Sequence, residues 1–228
     1  MDFIQLMKDL FYNTGHLAVI ILGISVLLCS LKFIKLSTPY KRLFYFLILN
    51  FSAEVASRII VFQFPGVNNL PLLHLYTLGE FILLSWFFKS LIKKPKILQS
   101  RFWLFMVIGS ILIVLNSLFY QNIYEFNSLA KACVQIIIIT YSVLYFYNLT
   151  ENTSLKNTNE KSLRLINSAI LIYYSGSLFI FMFSQVFFEN SELHLYFWTF
   201  NAILNVVFQL LVLVSLWKVI FKKPPLYS

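Results

Sequence analysis

Seven apolar runs, each about the length needed for a helix to cross a bilayer, are joined by connections that alternate between lysine-rich and nearly uncharged. The runs cover approximately residues 16–36, 42–64, 70–92, 102–120, 128–148, 163–187 and 194–221. This pattern leaves a chain of 228 residues few options. Hydrophobic residues make up 59% of it and charged residues 12%, about half the charge a water-soluble domain normally carries. So few charges cannot cover a soluble surface, so the expected solvent is lipid. The expected fold is all-α, a seven-transmembrane-helix up-and-down bundle with sequential neighbours in contact. All six prolines lie in connections, at a helix start or in the tail, so no span is expected to kink.

Orientation follows from the loop charges. Lys35, Lys41 and Arg42 belong to the first connection, Lys89, Lys93, Lys94, Lys96 and Arg101 to the third, and Lys156, Lys161 and Arg164 to the fifth. Lys218, Lys222 and Lys223 mark the tail. The second connection carries no charge, the fourth only Glu125, and the sixth only Glu189 and Glu192. The alternation predicts an N-terminus outside and a C-terminus in the cytoplasm, with residues 222–228 as a cytoplasmic tail. Because the positive charge is placed this way, the net +9 is an orientation signal and not a nucleic-acid surface.

Ahead of the first span nothing reads as a cleavable signal peptide. Within residues 1–15, Phe3, Met7, Leu10 and Phe11 oppose Asp2, Gln5 and Asp9, predicting a short amphipathic helix in the outer interface that ends at Asn13-Thr14-Gly15. Cys29 and Cys133 form no CxxC and read as small apolar helix residues. Asn148-Leu149-Thr150 and Asn152-Thr153-Ser154 match a glycosylation pattern by chance, since both fall in an expected cytoplasmic loop. The preference for Lys over Arg, 14 against 4, points to an AT-rich bacterial genome.

Ionisable groups inside a span are expensive and mark sites by default. Asn50, Glu54, Ser57 and Arg58 share one face of the second helix. Glu80 on the third lies at nearly the depth of Glu54, roughly 15 Å from the turn at 65–69. With His74, Tyr76 and Thr77 they form one expected cluster. Lys131, Gln135 and Ser142 align on the fifth span, Asn167, Tyr174 and Ser177 on the sixth, and Asn201, Asn205 and Gln209 on the seventh. These faces predict an outer-half polar cavity whose ligand-binding residues are Asn50, Glu54, Arg58, His74, Tyr76, Glu80, Gln135, Asn201 and Asn205. A structural reading stands beside it: Arg58 clamping Glu54 and Glu80, with amides as interhelical glue. Against this, two carboxylates facing one arginine leave an excess acid unless His74, Lys131 or a ligand neutralises it. No cofactor is expected. No metal is expected either, His16, His74 and His194 at the outer helix ends being weak candidates.

Lys218 stands at the end of the last helix, where it cannot serve as a mid-membrane retinal lysine. The helix-interior prolines of small sugar transporters and the deep histidine ligands of ceramidase-like hydrolases are also missing. Asn50-x3-Glu54-x3-Arg58 followed by NNLPLLHLYTLGE at 68–80 resembles a group of small seven-helix membrane proteins of Bacteroidetes-type bacteria. The resemblance covers residues 50–80 and implies a multi-pass inner-membrane location, without naming a reaction.

Three functions fit. The leading one is a receptor-like or sensory protein that binds a small polar or anionic ligand from outside and signals through a partner. The second is a lipid-modifying enzyme using Glu54, His74 or Glu80 in acid–base or metal-assisted catalysis. The third is a small-solute or proton transporter.

Overall fold

The computed structural model describes residues 3–150, 158–184 and 191–221. The described residues are helical throughout their ordered elements: α1 (Phe3–Leu31), α2 (Thr38–Gln63), α3 (Leu70–Lys89), the short α4 (Lys96–Ser100), α5 (Phe102–Leu115), α6 (Ser128–Thr150), α7 (Thr158–Met182) and α8 (Ser191–Phe221). All but α4 are long and apolar enough to cross a membrane, α5 reaching that length through a π-helical turn, Asn116–Tyr120. The tail at 222–228, Lys156, Glu189 and the Asn152-Thr153-Ser154 motif lie outside the described residues.

Local sequence explains the helix starts. Pro39 and Pro71 sit in the first turns of α2 and α3, where a missing N–H costs nothing and a fixed φ favours the helix. The turn between α2 and α3 uses Gly66 at φ +92°, a conformation that disfavours any side chain with a Cβ. The break expected at Asn13-Thr14-Gly15 is absent, because α1 runs uninterrupted from Phe3 to Leu31. Thr14 directs its hydroxyl back to the Leu10 carbonyl at 2.7 Å, so its polar group is satisfied without leaving the helix.

The helices alternate in direction, as contacts at each end record. At the lysine-rich end, the Tyr40 hydroxyl donates to the Asn159 carbonyl at 2.8 Å. At the opposite end, Asn68 donates to the Tyr124 carbonyl at 2.8 Å and Phe3 meets Tyr196. Neighbourhood is not purely sequential, however. The packing order α1–α2–α3–α6–α7–α8 closes back onto α1 as a ring, and α5 lies outside it against α3. The outer face of α5 is apolar, with Leu104, Ile108, Ile111 and Leu112 all exposed, as suits a helix in hydrocarbon.

In lipid, burying apolar side chains brings little transfer gain, so close packing and interhelical hydrogen bonds carry more of the cohesion. Phe46, Phe81, Phe87, Phe88 and Leu84 form a dense core in the lysine-rich half, extended by Ile138 of α6 and Ile166 of α7. Between α6 and α7, Ser142 Oγ donates to Asn167 Oδ1 at 2.8 Å while Asn167 Nδ2 donates back to the Ser142 carbonyl at 3.0 Å.

Asn148 makes a similar tie at the lysine-rich end. Its Oδ1 accepts from the Lys93 and Lys94 amides at 3.1 and 2.8 Å, and its Nδ2 donates to the Lys94 and Leu144 carbonyls at 2.9 and 2.8 Å. A side-chain amide engaged this way and buried cannot carry a glycan. Asn148→Ala is expected to release the 90–95 connection, raising its proteolysis rate several-fold and costing about 1–3 kcal/mol. Limited trypsin digestion after Lys93 measures this, and an unchanged rate would show that the tie does not hold the loop.

Candidate functional site

A cavity of about 300 Å³ opens in the half of the bundle opposite the lysine-rich end. From α2, Phe46, Asn50, Ala53, Glu54 and Ser57 line it at spacings of three and four, one continuous helix face. Tyr76 enters from α3 and Lys131 from α6. Tyr173, Tyr174 and Phe181 come from α7, and Trp198, Asn201, Asn205 and Phe208 from α8. The chemistry of this wall is mixed: broad aromatic faces, with amides, hydroxyls and one carboxylate set between them.

The floor is an ion pair. Lys131 Nζ donates to Glu80 Oε2 at 2.5 Å, and the Tyr174 hydroxyl donates to Glu80 Oε1 at 2.8 Å. Both carboxylate oxygens are therefore engaged, and neither Glu80 (0% exposed) nor Lys131 (2%) meets solvent. The ammonium also lies 4.7 Å from the Tyr76 ring centroid and 5.1 Å from that of Phe181, within range of a cation–π attraction. This arrangement ties α3, α6 and α7 together at one point.

Arg58 does not reach Glu80. It turns toward α1, where Nη2 donates to the Gly15 carbonyl at 2.9 Å and Nη1 meets His16 Nδ1 at 3.0 Å. A guanidinium can only donate, so His16 accepts at Nδ1 and carries any single ring proton on Nε2. Glu54 stands 3.7 Å from Arg58 on its own helix and shows its other side to the cavity. The excess acid inferred from the sequence thus resolves into two pairs, Glu80 with Lys131 and Glu54 with Arg58.

His74 faces away from both acids. Its Nε2 lies 3.1 Å from the Glu125 carbonyl, to which it must donate, and its Nδ1 lies 2.8 Å from the Ser117 hydroxyl, so both ring nitrogens are engaged. The π-helical turn brings Ser117 into reach. The sequence-expected cluster is therefore divided. Asn50, Glu54, Tyr76, Asn201 and Asn205 line the cavity, while Glu80 lies behind its floor. Arg58 and His74 bond elsewhere. Gln135 is fully buried one turn deeper on α6, donating to Ser177 Oγ at 2.9 Å.

The acid–imidazole pair needed for general base catalysis is not assembled from His74. The three imidazoles also diverge, His16 to Arg58, His74 to Ser117, and His194 against the Trp198 ring. Among the described residues no group of three or more His, Cys, Asp or Glu is placed to hold a metal ion.

Tyr173, Trp198 and Asn69 were not singled out from the sequence. Trp198 precedes Asn201 by three and Asn205 by seven, so extending that polar stripe by one turn would have reached it. Asn69 caps α3 and donates to Ser57 Oγ at 2.8 Å, a contact that only the α2–α3 turn creates. Two cavity-lining residues have buried polar atoms without a partner, Trp198 at Nε1 and Asn201 at Oδ1. Such groups cost free energy unless something pairs with them.

Comparison with family models, with curated proteins and with solved structures finds no match to this chain.

Proposed function

We propose that this chain is a receptor-like membrane protein that binds a small polar ligand in the cavity between α2, α3, α7 and α8. The single observation carrying this reading is the orphaned donor–acceptor pair, Trp198 Nε1 and Asn201 Oδ1, in the wall of a 300 Å³ space. One donor and one acceptor together suit a ligand bearing a hydroxyl or amide, and aromatic faces suit its apolar side. A neutral ligand is favoured over an anion. Lys131 is neutralised by Glu80, and Arg58 is paired with Glu54 and is not part of the cavity lining, so neither offers the cavity an uncompensated positive charge.

The cavity end is read as the outer side of a bacterial inner membrane. The support is the distribution of Lys35, Lys41, Lys93, Lys94, Lys96 and Lys161 at the other end, where the positive-inside rule places the cytoplasm. A ligand entering there would bear on the Glu80–Lys131–Tyr174 tie, and a change in the packing of α3, α6 and α7 would pass to a partner through the membrane or the basic loops.

The test is a thermal-shift screen of neutral polar compounds on the purified full chain in nanodiscs. For any compound that stabilises wild type, Asn201→Leu is expected to weaken binding about tenfold or more, from loss of a hydrogen bond and an added apolar clash with it. A compound bound equally by wild type, Asn201→Leu and Trp198→Phe would remove the cavity as its site.

A further inference from the structure

We infer that the seam of α2, α3 and α5 at the lysine-rich end is a specific site for the headgroup phosphate of an anionic phospholipid. Arg42 sits one turn into α2. Its Nη1 donates to the Trp86 carbonyl at 2.8 Å, capping the last turn of α3, and its guanidinium lies 5.0 Å from the Trp86 ring centroid. Lys89 follows Trp86 by three residues, on the same side of α3. Its ammonium rests 3.8 Å from the Trp103 ring centroid at the start of α5. The two cations thus bracket the Trp86–Trp103 side of this seam, and neither is in an ion pair among the described residues.

Three features make this more than a basic surface. Arg42 Nε is buried without a hydrogen-bond partner, although a guanidinium offers five donors in a fixed fork suited to phosphate. Two positive charges on one seam repel each other, and an anion between them would reverse that sign. The surrounding residues belong to the headgroup depth: Tyr45 stacks on Trp86 at 5.7 Å and is 41% exposed, and Trp103 is 52% exposed, as interfacial aromatic belts are. From this point the exposed apolar face of α5, through Leu104, Ile108 and Ile111, runs in the direction that acyl chains would follow. A phosphate there touches α2 and α3 through Arg42 and Lys89, and lies against the base of α5, which stands outside the ring. The bound lipid fastens α5.

Native mass spectrometry of the full chain, titrated with phosphatidylglycerol or phosphatidylcholine of matched acyl chains, tests this. The first phosphatidylglycerol is expected to bind at least tenfold more tightly than the first phosphatidylcholine. Arg42→Gln and Lys89→Gln are each expected to erase most of that difference, whereas a Lys93→Gln/Lys94→Gln variant, equal or greater in lost charge at the same end, keeps it. Lys89→Gln removes no helix cap, so it carries the test if Arg42→Gln misfolds. Lack of preference in wild type, retention of it by Lys89→Gln, or equal loss in the Lys93/Lys94 variant each overturns the site. Full displacement of the lipid by millimolar inorganic phosphate would assign the site to a soluble anion instead.

Discussion

Lys131→Met is expected to destabilise the protein by about 3–5 kcal/mol, because it leaves the Glu80 carboxylate buried without its counter-charge. Glu80 is fully buried, and without Lys131 its carboxylate is left to tyrosine hydroxyls, Tyr174 at 2.8 Å foremost. Neutral hydroxyls cannot replace an ammonium, so the acid must take up a proton or the bundle must open to water. Removing the acid alone, by Glu80→Gln, strands the ammonium between Tyr76 and Phe181 and is expected to be similarly harmful. The double variant Glu80→Gln/Lys131→Met removes both charges and is expected to recover most of the loss, since a neutral replacement of a buried pair is often tolerated. Thermal unfolding in detergent reads the effect. For a chain of this size a loss of this order lowers Tm by about 10 °C. If the double variant instead loses the sum of what the two single variants lose, the residues are not coupled and the floor of the cavity is held by something else.

Gly109→Ala is expected to loosen α5 selectively. A Cβ at this position would sit 2.5 Å from Phe81 Cζ and 2.8 Å from Cε1, and the Phe81 ring is buried in the core with no room to turn. The same substitution at Gly79 or Gly176 meets Leu49 or Leu204 at 2.7 or 2.6 Å. Those are the flexible ends of partly buried leucines, which can swing aside. The expected order of harm is therefore Gly109 above Gly79 and Gly176, with Gly109→Ala costing about 1–3 kcal/mol by overpacking. Because α5 packs on α3 and not within the ring, the loss should appear as faster amide exchange across residues 102–120 while α6 and α7 stay protected. Adding Phe81→Leu is expected to restore protection by making space. Uniform acceleration across all helices would show that α5 is integral to the ring after all.

Much of the architecture is legible in the residues. Seven runs of sufficient length mark seven helices, since a backbone in hydrocarbon must satisfy its own hydrogen bonds. Pro39, Pro65, Pro71 and Pro95 punctuate them, and the charges of the short loops separate one end from the other. The long α1 shows the limit of local reading: Asn13-Thr14-Gly15 has the composition of a helix stop, yet Thr14 back-bonds to α1 and the helix continues into the membrane.

The site was legible in depth but not in azimuth. A rise of 1.5 Å per residue correctly puts Glu54 and Glu80 in the same half, with Lys131, Asn201 and Asn205. Which of them meet depends on how each helix is rotated and on which helix stands beside it. A sequential bundle would set α5 between α3 and α6. Its displacement to the outside lets α6 pack directly on α3, and Lys131 thereby reaches Glu80 and takes the place expected for Arg58. Arg58, freed from that role, bonds to Gly15 and His16 on α1, because α1 packs beside α2.

The amino-acid sequence by itself therefore determined that the chain is all-helical, that seven of its helices have the length and apolarity to cross a membrane, and that polar groups gather in one half. Those properties follow from hydrogen-bond saturation, hydrophobic length and the cost of intramembrane charge, all local along the chain. The tertiary structure alone decided which charge neutralises which, that His74 is spent on Ser117 and Glu125, and that Trp198 and Asn201 keep unpaired atoms in the cavity wall. Those are consequences of helix order and rotation, which depend on contacts between residues as distant in sequence as Glu80 and Tyr174.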